Sequence, residues 1–250
     1  MIPTLVLAAV LLTSALSGVI GMAGGMLLMA LLAALFPVPV AMLLHGVTQG
    51  AANGSRAWFL RAHVRWAVLP PYLAGAVLAL GVFAFLTFVP ERGLLLLLLG
   101  ALPWLGRLLP AAGRLDMEGP ATAFACGAVV TAAQLLAGAS GPLLDLFFLH
   151  SRLDRRAVVA TKAVTQALGH GAKLVYYGAV LGLPAAAFEG AAARPWLFVA
   201  VVPAALLGTR IGTRLLDRLE DATFRRASGR IVLALGAACS LGGLVSLLGP

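Results

Sequence analysis

Val47-Thr48-Gln49 returns 117 residues later as Val164-Thr165-Gln166, inside two apolar segments that otherwise share little wording. At the same offset His45 falls on Lys162, Asn53 on His170, Gly54 on Gly171 and Arg56 on Lys173. The polar interruptions match while the lipid-like residues drift. This pattern predicts a duplicated chain: a single domain over residues 1-250, with repeat one over 1-114 and repeat two over 115-250.

Composition fixes the solvent. The chain has 250 residues, is 61% hydrophobic and only 11% charged, and contains apolar runs long enough to cross a bilayer. That is the signature of an all-α integral membrane protein. The net charge of +9 does not signal nucleic acid, because the arginines are scattered over short loops with no interleaved aromatics. Cys126 and Cys239 lie in apolar segments without CxxC or Cys/His spacing, so no metal and no cofactor are expected. No Lys or Arg precedes Arg56, so the start lacks the basic region of a secretory signal and reads as a membrane segment.

Hydropathy and Gly/Pro punctuation divide the chain into eight blocks, near 4 to 36, 40 to 60, 66 to 89, 93 to 110, 119 to 150, 157 to 182, 195 to 216 and 228 to 248. Blocks one and five exceed the roughly 20 residues that one crossing needs. Both are interrupted near the middle, by Gly21-Met22-Ala23-Gly24-Gly25 and by Ala137-Gly138-Ala139-Ser140-Gly141-Pro142. Each is expected to be two half-helices meeting at a break inside the membrane.

Loop charge orients the copies. With block five re-entrant, Arg61, Arg65, Arg107, Arg114, Arg152, Arg155, Arg156 and the six arginines between 210 and 230 share one side. Only Arg92 and Arg194 lie opposite, which the positive-inside rule prefers over eight simple crossings. The copies are then inverted, each a broken or re-entrant hairpin plus three transmembrane helices, with both termini outside in the symmetric arrangement. Charge is silent on residues 4-36, so whether they cross or re-enter stays open, and with it the side of the N-terminus.

Steps of three and four keep His45, Thr48, Gln49, Asn53 and Arg56 on one helix face, and likewise Lys162, Thr165, Gln166, His170 and Lys173. Ionisable groups within a membrane are expensive and face a bundle interior or a water-filled cavity. Gln49 and Gln166 sit roughly 13 Å into their helices, near the midplane, whereas Arg56 and Lys173 lie about 24 Å along, where side chains snorkel to headgroups. Interhelical hydrogen bonding is the structural alternative for the glutamines.

Lys162 and Lys173 are the only lysines. With Arg56 they put three cations in membrane segments against one carboxylate, Asp145. Half-helix starts at Gly25 and Gly141 add free N–H donors, so the expected cavity favours an anion. Its expected lining is Gln49, Gln166, Asn53, His170, Ser140 and Thr165, with Lys162 or Lys173 supplying charge. Asp145 either pairs with Lys162 or carries a coupling proton, with His45 or His170 as a second titrating group.

A glycine break in the first block, Gly21, Gly24 and Gly25 followed by Pro37 and Pro39, and a second break about 117 residues on, with polar helices directly after both, resemble the sulfite exporter TauE/SafE family of membrane permeases. The likeness runs from about Leu5 to Leu248. Ala139 and Ser140 between Gly138 and Gly141 depart from the glycine-richer family pattern. The resemblance implies a bacterial inner (cytoplasmic) membrane transporter, multi-pass, moving a small anion such as sulfite, a sulfonate or a related organic acid, often outward. The coupling ion, proton or sodium, and a homodimeric assembly are left open.

Two other classes are weighed. Gly138-Ala139-Ser140-Gly141 matches the GxSG of intramembrane serine proteases, with His150 and His170 downstream as bases. An anion channel would show no coupling, but neither a ring of carboxylates nor a filter sequence is visible. The reading adopted is a secondary carrier, not an enzyme.

Overall fold

Two glycine-rich interruptions do shape the chain. The computed structural model describes residues 1–20, 23–108, 115–149, 151–182, 194–216 and 221–249, without the side chains of 18–20, 106–108, 216 and 221–229. Gly21, Met22, Arg114 and His150 lie outside the described residues, as do the side chains of Arg107, Arg218, Arg225 and Arg226.

The described residues form helices and no strand. In chain order they are α1 (Ile2–Ile20), α2 (Ala23–Leu35), α3 (Val38–Phe59), α4 (Leu69–Leu86), α5 (Arg92–Leu108), α6 (Pro120–Ala137), α7 (Gly141–Phe148), α8 (Arg155–Leu174), α9 (Pro195–Leu216) and α10 (Asp221–Leu248). Block one is α1 and α2; block five is α6 and α7.

Local chemistry sets most boundaries. Proline stands in the first turn of α3, α4, α6 and α7, where a missing N–H costs nothing. Asp154 caps α8, its carboxylate accepting from the backbone N–H of Arg156 at 2.8 Å and Ala157 at 3.0 Å. Gly138 ends α6 with φ 75, a left-handed conformation that suits glycine. α8 continues as a π-helical turn, Val175–Val180, whose Tyr176 and Tyr177 are fully buried and donate to the carbonyls of Phe88 and Leu135.

Four stretches among the described residues are long and apolar enough to cross a membrane: Trp66–Leu86, Pro120–Ala137, Pro195–Leu215 and Arg230–Leu248. Shorter apolar helices are Ile2–Ser17, Ala23–Leu35 and Arg92–Leu105. α3 and α8, 22 and 20 residues long, have the length but carry the polar stripes. Val77, Phe85, Val199, Leu241 and Val245 project from the outer surface, as lipid contact requires. The chain is a multi-pass membrane protein.

The closest packing joins α1 to α9, α4 to α6, α5 to α10 and α3 to α8. Small residues permit it: a Cβ on Gly127 of α6 would lie 1.9 Å from the Tyr72 carbonyl oxygen of α4. Two of these pairs, α5 with α10 and α3 with α8, run antiparallel. In α5 and α10, Gly93 meets Gly243 and Leu247, whereas Gly100 meets Gly236 and Ser240. In α3 and α8, Gly46 meets Lys173 and Leu174, whereas Gly50 meets His170.

α2 folds back on α1, with Gly24 against the Thr13 backbone and Ser17. Its Met26, Leu28, Met29 and Leu32 are buried with Val40, Met42 and Leu44 of α3 and Leu135 of α6 in the main core. This core anchors the first break beside the second.

Candidate functional site

Crossing antiparallel, α3 and α8 bring their polar stripes together. The rings of His45 and His170 lie 5.4 Å apart between centroids. Around them is a cavity of about 130 Å3, bounded by α3, α8 and the two breaks.

Of the residues expected from sequence, Gln49, Gln166, Asn53, His170, Ser140, Gly25, Gly141, Lys162 and His45 line this cavity, together with Arg56. Thr165, Lys173 and Asp145 do not. Thr165 is buried, its hydroxyl donating to the Lys162 carbonyl of its own helix and its carbonyl accepting from Tyr72. Its counterpart Thr48 likewise donates within its helix, to the Leu44 carbonyl at 2.7 Å. In the repeated triplet, therefore, the glutamine faces the cavity and the threonine serves its helix.

Asp145 pairs with Lys162, the first of its two expected readings. Lys173 departs from the snorkelling expectation, because its side chain is 0% exposed. Its Nζ donates to the Gly138 carbonyl at 2.9 Å and contacts His45 Nδ1 at 2.8 Å. His45 Nε2 in turn lies 2.8 Å from the Gly25 carbonyl oxygen. Through Lys173 and His45 the two breaks are hydrogen-bonded to the two polar helices.

Two lining residues, Ser17 and Gln134, escaped the sequence reading. Gln134 Oε1 accepts from Ser140 Oγ at 2.7 Å, and Gln134 Nε2 lies 2.7 Å from His170 Nδ1. A signal for both existed: they are related by the same offset of 117, each the polar residue just before a break. Gln134 also bears on the GxSG reading, since it stands between Ser140 and His170. The serine hydroxyl is committed to an amide oxygen and the facing imidazole nitrogen to an amide N–H.

The cavity is rich in unsatisfied donors. Gln49 Nε2 and Ser17 Oγ are buried without a hydrogen-bond partner, and His170, accepting at Nδ1, carries its hydrogen on Nε2. Among the described residues the Arg56 side chain makes no hydrogen bond or ion pair, and it faces Lys162. The Asp145 carboxylate is already taken by Lys162. No group of three or more His, Cys, Asp or Glu residues among the described residues has metal-site geometry. Ala52, Ala139, Val159 and Ala163 complete the wall.

Neither a curated protein nor a solved structure matches the chain. Residues 6–239 match the family model for sulfite exporter TauE/SafE.

Proposed function

This chain belongs to the sulfite exporter TauE/SafE family, whose members are sulfite and sulfonate membrane permeases, and on that premise we propose that it is a secondary carrier of a small anion in a bacterial cytoplasmic membrane. Sulfite, a sulfonate and a related small organic acid are its candidate cargoes, and export is its candidate direction. The observation that carries this reading is the donor-rich cavity. Gln49 and Ser17 present orphaned donors beside the uncompensated Arg56, and an oxyanion supplies the missing acceptors and the missing charge together.

Gln49 and Gln166 bind the oxygens from opposite helices, with Asn53, Ser140 and His170 around them. The first turn of α2, which holds Gly25, and the start of α7 at Gly141 add backbone dipoles. Lys162 contributes as a pair with Asp145; Thr165 acts through its helix. The antiparallel pairing of α3 with α8 and of α5 with α10 supports an inverted repeat, divided near residue 114, in which the two hairpins and the two polar helices move as one bundle. Hydrogen bonds from Lys173 and His45 to both breaks support that grouping.

The test is flux of sulfite and of methanesulfonate into proteoliposomes containing the full chain. Saturation, together with acceleration by the same anion on the opposite side, marks a carrier. Flux that neither saturates nor responds to opposing anion overturns the carrier in favour of a channel, and no protein-dependent flux for any small anion overturns both. The same geometry argues against a serine protease, because Ser140 has Gln134 and not a histidine at its hydroxyl; covalent labelling of Ser140 by a fluorophosphonate would revive that activity.

A further inference from the structure

Lys173 stands one layer behind the cavity wall, in surroundings unlike those of the other two membrane cations. Lys162 has the Asp145 carboxylate, and Arg56 is only half-buried at the cavity. Lys173 is wholly buried and, among the described residues, its Nζ meets two uncharged acceptors, His45 Nδ1 and the Gly138 carbonyl.

Counting hydrogens sharpens the contrast. The Gly25 carbonyl facing His45 Nε2 can only accept, so Nε2 carries the ring hydrogen and Nδ1 accepts from Lys173. A neutral amine has two N–H groups, and two acceptors are present. The third N–H of an ammonium has no acceptor among the described residues, and its charge has no carboxylate.

The groups facing this pair come from every element around it. α8 contributes His170, one turn before Lys173; α3 contributes His45 and, across the cavity, Arg56, which faces Lys162. The second break contributes the Gly138 carbonyl and α2 the Gly25 carbonyl. Tyr177 of the π-helical turn is spent on the Leu135 carbonyl. Apart from Asp145, held by Lys162, the formal charge nearby is positive. An anion in the cavity offsets that charge.

We propose that Lys173 and His45 form a proton site linked to the cavity, taking up one proton when an anion binds and releasing it when the anion leaves. The proton enters at the His45 ring, which lines the cavity. It resides on Nζ, as an ammonium donating to Nδ1, or on Nδ1, as an imidazolium donating to the Nζ lone pair. Either way the pair gains one charge and no bond between heavy atoms changes. Anion and proton then travel together, and by reciprocity the anion binds more tightly at lower pH. This inference rests on the anion-carrier reading.

The experiment is titration calorimetry of the full chain in lipid nanodiscs with methanesulfonate, a strong-acid anion whose own charge does not change over the working pH range. Two buffers of different ionisation enthalpy count the protons. The expected result is uptake approaching one proton per anion, with affinity falling by up to about tenfold per pH unit on the alkaline side. Lys173→Gln is expected to bind with an affinity that ignores pH. Wild-type binding without proton uptake overturns the inference while leaving the anion site standing, and it needs no variant to fold. Linkage that survives in Lys173→Gln overturns it as well. Absence of saturable binding at every pH removes the anion site and this inference with it.

Discussion

Lys173 and His45, 128 positions apart, are joined across the α3 and α8 crossing by a contact of 2.8 Å between Nζ and Nδ1. Through this pair the second break, at Gly138, is connected to the first, at Gly25. Removing the lysine therefore separates two elements as well as deleting a charge. Lys173→Ala is expected to lower the thermal midpoint of the purified protein more than Lys162→Ala, because it leaves the His45 nitrogen unpaired, at about 1–3 kcal/mol, and takes from the Gly138 carbonyl the closer of its two donors, leaving it Gln134 Nε2 at 3.3 Å. Thermal unfolding in detergent, monitored by circular dichroism, compares the two.

The glutamines carry the anion prediction. Gln49→Ala combined with Gln166→Ala is expected to abolish saturable methanesulfonate uptake while leaving the folded fraction intact, measured as flux alongside gel-filtration profile. Retained saturable transport would sink the proposed site.

Arg56 is the cation at the cavity with no ion-pair partner among the described residues. Replacing it by Gln removes charge-assisted hydrogen bonds of about 1.5–3 kcal/mol, so anion affinity is expected to fall roughly 10- to 100-fold. Titration calorimetry reads the change directly; unchanged affinity places Arg56 outside the binding shell.

Gly138→Ala tests the second break. At φ 75 an L-residue is strained by about 1–2 kcal/mol, and its Cβ would press on the Met29 side chain. A lowered thermal midpoint is expected, and Gly138→Ala is expected to cost less in a Met29→Ala background than in the wild type, because the space is then open while the backbone angle is still strained.

Asp154 lies outside the membrane segments, and its carboxyl is held below the ordinary value first by the Ala157 N–H, against some desolvation, then by the Arg156 N–H and the charges of His63 and Arg156. With the folded value depressed, the cap's contribution is fully present above the unfolded value of about 3.9. It fades as pH falls through the folded value. Wild type is expected to be more stable than Asp154→Asn at neutral pH, and the difference to narrow on acidification below about pH 4. Thermal midpoints of both proteins across that range check it.

The all-helical membrane class was legible in the sequence because burial in lipid demands long apolar runs, and these need no tertiary partner to be counted. So were the interruptions of blocks one and five, since glycine and proline act on their own backbone: Gly138 ends α6 and Pro142 opens α7. The family was legible too, through those breaks and the polar helices after them. Helical period likewise put His45, Gln49, Asn53 and Arg56 on one face. What period does not determine is which neighbour covers that face, or at what level.

That was decided by the antiparallel crossing of α3 and α8, which set Lys173 opposite His45 and drew it into the interior. It left Thr165 bonded to its own helix and admitted Ser17 and Gln134 from helices that, read alone, are merely apolar. Sequence by itself determined which residues are too polar for lipid and where the helices break, because both depend on the chain's own chemistry. Only the tertiary structure decided which of those polar groups meet a shared cavity and which satisfy one another, because hydrogen bonds over 2.7 to 3 Å depend on how distant segments pack.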